Sequence, residues 1–128
     1  MLKKAFLFPG QGSQQVGMAQ DFYNTYAIAR ECVEEADDIL GESLSKIMFQ
    51  GPIEKLTQTK YSQPAIFVAS CAILNVFRQQ HPKCIPTFCA GHSLGEFTAL
   101  FAAEYLRSPL TPLRIKCQVV VPGTLIAA

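Results

Sequence analysis

The stretch Gly91-His92-Ser93-Leu94-Gly95-Glu96 restricts the fold of this chain more than any other. An apolar run, Ile85 to Ala90, reads as the β-strand leading into it, and Glu96 to Leu106 reads as the helix leading out. A strand, then Gly-x-Ser-x-Gly, then a helix describes a nucleophile elbow, a sharp turn that lifts a serine hydroxyl above the end of a sheet. The flanking glycines let neighbouring backbone pass close by, where a Cβ would intrude. The helix that starts after Ser93 aims N–H groups, with their partial positive charge, at any oxyanion formed there. The plainer alternative is a glycine-rich turn with an incidental serine. The elements on either side favour the elbow, with Ser93 as the nucleophile.

What surrounds this motif agrees with a folded α/β core. At 128 residues there is room for one domain, and 49% hydrophobic against 16% charged residues is a core-forming composition. A net charge of +1, with aromatics not interleaved among basic clusters, argues against nucleic acid as a partner. Cys32, Cys71, Cys84, Cys89 and Cys117 are odd in number and lack C-x-x-C spacing, so neither a disulfide framework nor a metal site is expected. Reduced, buried thiols in a cytoplasmic protein are the better reading. The longest apolar stretch, Ala65 to Phe77, is interrupted by Ser70 and Asn75, which suits a buried helix rather than a membrane span.

Ala5 to Phe8 is a short apolar run ended by Pro9-Gly10, consistent with a central strand of a parallel sheet. The polar, glycine-rich loop from Gly10 through Gln11 and Gly12 to Gln15 follows, placed where ligands meet such a sheet; alone, it would pass for a plain βα turn. Ile28 to Leu40 predicts an amphipathic helix with Ile28, Cys32, Ala36 and Ile39 on one stripe. Its Glu31, Glu34, Glu35 and Asp38 form a solvated face, and Gly41 ends the helix. Ser43 to Phe49 and Pro52 to Thr57 read as short helices, and a long, largely apolar helix runs from Ser62-Gln63-Pro64 to about Gln80. Beyond Arg107, Pro109 and Pro112 interrupt any helix, and Ile115 to Val121 reads as an isolated strand.

Two motifs at this separation, Phe8-Pro9-Gly10-Gln11-Gly12-Ser13-Gln14 and Gly91-His92-Ser93-Leu94-Gly95-Glu96, resemble those of the malonyl-CoA:acyl carrier protein transacylases. Gly51-Pro52 and Gln63-Pro64-Ala65 fit the same pattern, and the resemblance covers residues 3 to about 106. It implies an α/β fold, a parallel sheet with flanking helices like the N-terminal part of the large α/β-hydrolase-like subdomain of acyltransferases. Residues 1–106 would form that part, and residues 107–128 a tail departing from the family pattern.

The resemblance further implies that Ser93 takes the malonyl group from coenzyme A as an ester and passes it to the carrier-protein thiol, in fatty acid biosynthesis. Gln11 and Leu94 correspond to residues whose backbone N–H groups form the oxyanion hole, and Gly10, Gly12, Gln63 and His92 to the surrounding substrate-site loop. Malonyl-CoA and acyl carrier protein are then the partners, with the thioester a substrate and no cofactor implied. His92 is part of the signature, but neighbouring side chains around a tight elbow diverge, which speaks for a structural role.

The family's base is a histidine well downstream of the elbow, whereas this chain has only His81 and His92. The family's carboxylate-binding arginine aligns with Gln118, with Arg114 one helical turn earlier. The expectation is a transacylase truncated and inactive alone. The alternative is a non-catalytic binding module that keeps the elbow without a base. A hydrolase of the α/β type is disfavoured, because after Ser93 the only acids are Glu96 and Glu104. Both main readings leave strands this apolar partly uncovered in a chain of this length.

Overall fold

The computed structural model of the chain describes residues 2–103 and 125–127. Along these run β1 (Ala5–Phe8), α1 (Gln20–Thr25), α2 (Ala27–Leu40), α3 (Leu44–Gln50), α4 (Ile53–Leu56), α5 (Thr59–Gln80), β2 (Phe88–Gly91), α6 (Gly95–Ala102) and β3 (Leu125–Ala127). β1 pairs with β2 in parallel, Ala5 opposite Phe88 and Phe8 opposite Gly91, so the two strands end level with each other. β3 lies on the other side of β2 and runs antiparallel to it, Ala90 opposite Leu125.

The sheet therefore departs from expectation in two ways. It is mixed rather than parallel throughout, because the third described strand runs in the opposite direction. β2, not β1, is the middle strand of the described residues. Leu7 of β1 is 77% exposed, so its face of the strand is not covered as a parallel sheet's usually is. The strand expected from Ile85 starts only at Phe88: Pro86 has no N–H to offer a ladder, and Ile85 stays outside at 73% exposure.

The core lies on the helical side. α5 buries Ala65 through Ala69, then Cys71, Ala72, Leu74 and Val76, and α2 lies along it through Ala29, Cys32, Val33 and Ala36. Small residues on α2 let the two helices approach closely. Leu44, Met48 and Leu56 from α3 and α4 close the bottom of the same core. Burying a side chain such as Ile66 or Phe67 contributes about 1.5–3 kcal/mol. The buried stripe of α2 is centred between Ala29 and Val33, leaving Ile28 and Ile39 half-buried at its edges, while Glu31, Glu34, Glu35 and Asp38 are exposed as expected. Gly41 ends α2 at φ 70°, its N–H donating to the Asp37 carbonyl.

α5 begins at Thr59, ahead of the expected start, with Gln58 as its cap and the Ser62 N–H on the Gln58 carbonyl at 2.8 Å. Pro64 thus falls inside the helix and removes the bond an N–H there would make to the Lys60 carbonyl. α1, which has no buried residue, is an element the sequence pattern did not suggest. Between β1 and α5 a shallow apolar cleft of about 420 Å³ stays open, lined by Phe6, Leu7, Phe8, Ile73 and Phe77 among others. The strand expected at Ile115 to Val121 lies outside the described residues.

Candidate active site

Because β1 and β2 end level, the loops that leave them are stacked, and three glycines set their spacing. A Cβ on Gly10 would lie 2.2 Å from the His92 carbonyl oxygen, one on Gly91 would lie 1.9 Å from the Gly95 carbonyl carbon, and one on Gly95 would lie 2.3 Å from the Phe8 carbonyl oxygen. All three neighbours are backbone, which has nowhere to yield. The His92 N–H donates to the Phe8 carbonyl at 3.2 Å, carrying the contact between the strands into the turn.

Ser93 sits at the top of this turn with φ 56°, a left-handed conformation that costs a non-glycine residue about 1–2 kcal/mol. It is exposed, as is His92. The chain then winds directly into α6: Gly95 N–H donates to the His92 carbonyl at 3.0 Å, Glu96 N–H to Ser93 at 3.1 Å and Phe97 N–H to Leu94 at 3.1 Å. α6 starts at Gly95, and Glu96 in its first turn is buried. Residues 104–106, where the helix was expected to end, lie outside the described residues.

The two backbone donors expected at the oxyanion position share one property. Among the described residues, no hydrogen bond takes the N–H of Gln11 or of Leu94. Leu94 is the N-cap of α6, where N–H groups lack helical partners. Gln11 lies in a tight turn held by the Ser13 N–H and hydroxyl, both donating to the Gly10 carbonyl at 3.3 and 2.8 Å, and by the Gly12 N–H on Gln14 Oε1 at 2.8 Å. Gly10 abuts His92, so Gln11 and Ser93 occupy matching places in the stacked loops. Gly12 differs from Gly10: a Cβ there would meet open space, and its requirement is a φ of 107°.

Gln63 is on α5 and not in a loop, a correction that follows from the earlier helix start. Its Nε2 approaches Gln11 Oε1 at 3.4 Å, while Gln11 Nε2 donates to Thr59 Oγ1 at 3.0 Å. Thr59 went unremarked in the sequence. The available signal was its place four residues before Gln63, on the same face of a helix.

Among the described residues, neither histidine is hydrogen-bonded to the Ser93 hydroxyl. His92 Nδ1 is 3.2 Å from where a Gly10 Cβ would be, which puts the ring over that loop, and among the described residues no hydrogen bond joins it to Ser93. His81 caps the far end of α5, its N–H on the Phe77 carbonyl and its ring centroid 4.9 Å from that of Phe77. That end of α5 adjoins the start of β2, opposite the elbow. Arg114 and Gln118 lie outside the described residues.

Cys32, Cys71, Cys84 and Cys89 are free thiols. Burial pushes the Cys32 thiol up to about 12, with Glu35 adding to the effect, and burial also raises Cys71 and Cys89. None of these three is a ready nucleophile. Among the described residues no group of three or more His, Cys, Asp or Glu is placed to hold a metal, and no helix is long and apolar enough to cross a membrane.

Residues 5–110 match the acyl transferase domain family. The malonyl CoA-acyl carrier protein transacylase of Bacillus subtilis (strain 168) is 47% identical over 106 residues, 83% of this chain and 33% of the relative. That of Escherichia coli (strain K12) is 48% identical over 103 residues, 80% of this chain and 33% of the relative. The crystal structure of acyl-carrier-protein-S-malonyltransferase from Bartonella henselae superposes with a TM-score of 0.75 at 46% identity, over 80% of this chain and 33% of that one. A malonyl-transacylase solved in complex with a type II PKS acyl-carrier protein gives 0.74 at 42% identity, with the same coverage. The chain thus spans about one third of the length of the relatives it matches.

Proposed function

Because this chain belongs to the acyl transferase domain family, we propose that it carries the nucleophile and oxyanion hole for moving a malonyl group from coenzyme A to an acyl carrier protein in fatty acid biosynthesis. The Ser93 hydroxyl attacks the thioester carbonyl, and the resulting oxyanion lies between the N–H groups of Gln11 and Leu94. The C–S bond breaks, coenzyme A leaves as its thiol with the proton Ser93 released, and malonyl remains as an ester on Ser93. The carrier-protein thiol then attacks that ester and returns the proton to Ser93. Losing one oxyanion donor costs on the order of 3 kcal/mol of barrier.

What most supports this reading is the left-handed Ser93 between β2 and α6, with Gly91 and Gly95 packed where no side chain fits. Residues 1–106 would then form the N-terminal part of the hydrolase-like subdomain, and residues 107–128 a tail departing from it. Free, buried thiols suit a reducing, cytoplasmic setting. The test is incubation with malonyl-CoA or a serine-directed phosphonate, followed by peptide mass spectrometry. One adduct at Ser93, lost in Ser93→Ala, is expected; adducts spread over other serines would remove the assignment.

A second reading, a binding module that keeps the elbow without turnover, is favoured by the position of the two histidines. His92 lies over Gly10 and His81 at the far end of α5, and among the described residues neither is hydrogen-bonded to Ser93. Labelling at a rate far below that of a full-length relative, without transfer onward to the carrier thiol, would support it.

A further inference from the structure

We propose that Thr59 is a positioning residue for the oxyanion loop, acting through the Gln11 side chain; this rests on the reading of Gln11 as an oxyanion donor. The Gln11 loop has little to steady it. Gln11, Gly12 and Ser13 are all exposed, and Gly12 takes a φ of 107°. A backbone N–H is useful to an oxyanion only if its direction is set before the charge forms. The bonds from Ser13 and Gly12 close the turn on itself, without tying it to the rest of the molecule.

That tie comes from the first turn of α5. Thr59 and Gln63 stand four residues apart on one helical face and meet the two ends of the same amide. The two contacts agree on its orientation, since Nε2 donates to Thr59 and Oε1 accepts from Gln63. At 3.0 Å the Thr59 bond is of ordinary length, whereas 3.4 Å to Gln63 is long, so Thr59 holds the amide and Gln63 steers it. The support behind them is rigid: α5 is 22 residues long, and Tyr61 and Ser62 between the two contacts are buried. An exposed threonine at a helix start thereby gains a task that its location alone does not suggest.

The experiment compares Thr59→Val and Thr59→Ser for the rate of phosphonate labelling at Ser93, with the urea midpoint of each variant beside it. Valine keeps the shape and removes the acceptor, so labelling should slow about threefold to tenfold with the midpoint unchanged. Serine restores the acceptor and should return the rate to within about twofold of wild type. Gln11→Ala should slow labelling similarly, and the double variant Gln11→Ala/Thr59→Val no further, because both changes cut one link. Labelling of Thr59→Val at the wild-type rate would overturn the proposal, as would a loss that serine does not restore. Should wild type not label at Ser93, the catalytic reading fails separately, and the link is decided by NMR. A shift of the Gln11 side-chain amide and of the Gly10 to Ser13 backbone amides in Thr59→Val would uphold it, and unchanged resonances would overturn it.

Discussion

Replacing Ser93 by glycine should make the protein more stable than replacing it by alanine, and the difference measures the strain in the elbow. Both substitutions delete an exposed hydroxyl, and the structure gives the serine side chain no described hydrogen bond to lose. They differ in the Cβ. At φ 56° alanine retains a left-handed cost of about 1–2 kcal/mol. Glycine escapes it but loses about 0.4–1 kcal/mol to its freer unfolded chain. The net advantage of glycine is about 0.5–1.5 kcal/mol. In urea, with a slope of about 1–3 kcal/mol per molar, that displaces the midpoint by roughly 0.5 M. The control is Glu35, exposed on α2, where glycine should be worse than alanine by about 1 kcal/mol. The sign must therefore reverse between the two sites. If Ser93→Gly is no more stable than Ser93→Ala, the residue is not held left-handed, and the strain assigned to the elbow is refuted.

The remaining expectations follow from neighbouring observations. Gly95→Ala drives a Cβ to 2.3 Å from the Phe8 carbonyl oxygen, so it should lower the urea midpoint by about 1–3 kcal/mol equivalent and abolish Ser93 labelling together. Gly12→Val meets open space and should slow labelling while leaving most of the stability intact, because only its φ of 107° is opposed. Cys32 ionises at about 12 when folded against an ordinary 9.0, so the unfolded chain loses its proton first. Stability is then fully present below pH 9 and falls as pH rises toward 12, by up to about 1.4 kcal/mol per unit, a slope that urea titrations should find reduced in Cys32→Ala. The apolar cleft beside β1 should bind a hydrophobic dye, and Leu7→Lys should lower that fluorescence with little change in the urea midpoint, since Leu7 is 77% exposed.

Where the sequence carries a steric requirement, the local structure is legible in it. Gly41 past an acidic, amphipathic run marked the end of α2, and Pro9-Gly10 marked the end of β1 at Phe8. The strand, glycine and helix pattern around Ser93 located the elbow to within one residue of the start of α6. The roles assigned to Ser93, Gln11 and Leu94 rest on chemistry that the experiments above address. What is not legible depends on partners distant in the chain. Apolarity alone could not tell that β1 lies at the described edge, because that depends on which strand pairs with it. Pro64 suggested a later start for α5, yet the helix accepts it at the cost of one bond, since the packed face beyond outweighs a local preference. α1 buries no residue completely and left no periodic trace. Thr59 could be recognised only once Gln11, far away in sequence, was known to reach it.

Arg78 gives α5 a second attachment whose effect reaches the elbow. Its Nη2 donates to the Ala102 carbonyl at 2.6 Å, and its guanidinium lies 5.4 Å from the centre of the Phe101 ring, both at the end of α6. α6 leads back to Gly95, Gly95 abuts Phe8, and β1 leads on to Gln11, which Thr59 joins to the opposite end of α5. These links form a closed frame, a truss with α5 as its longest member and about 28 Å between Thr59 and Arg78 at 1.5 Å per residue. In an open chain of contacts, one cut frees whatever lies beyond it. In a closed frame each joint carries part of the load, so cutting at either Thr59 or Arg78 loosens the site in part and cutting at both loosens it further. Two side chains too far apart to touch are thereby made to act on the same serine.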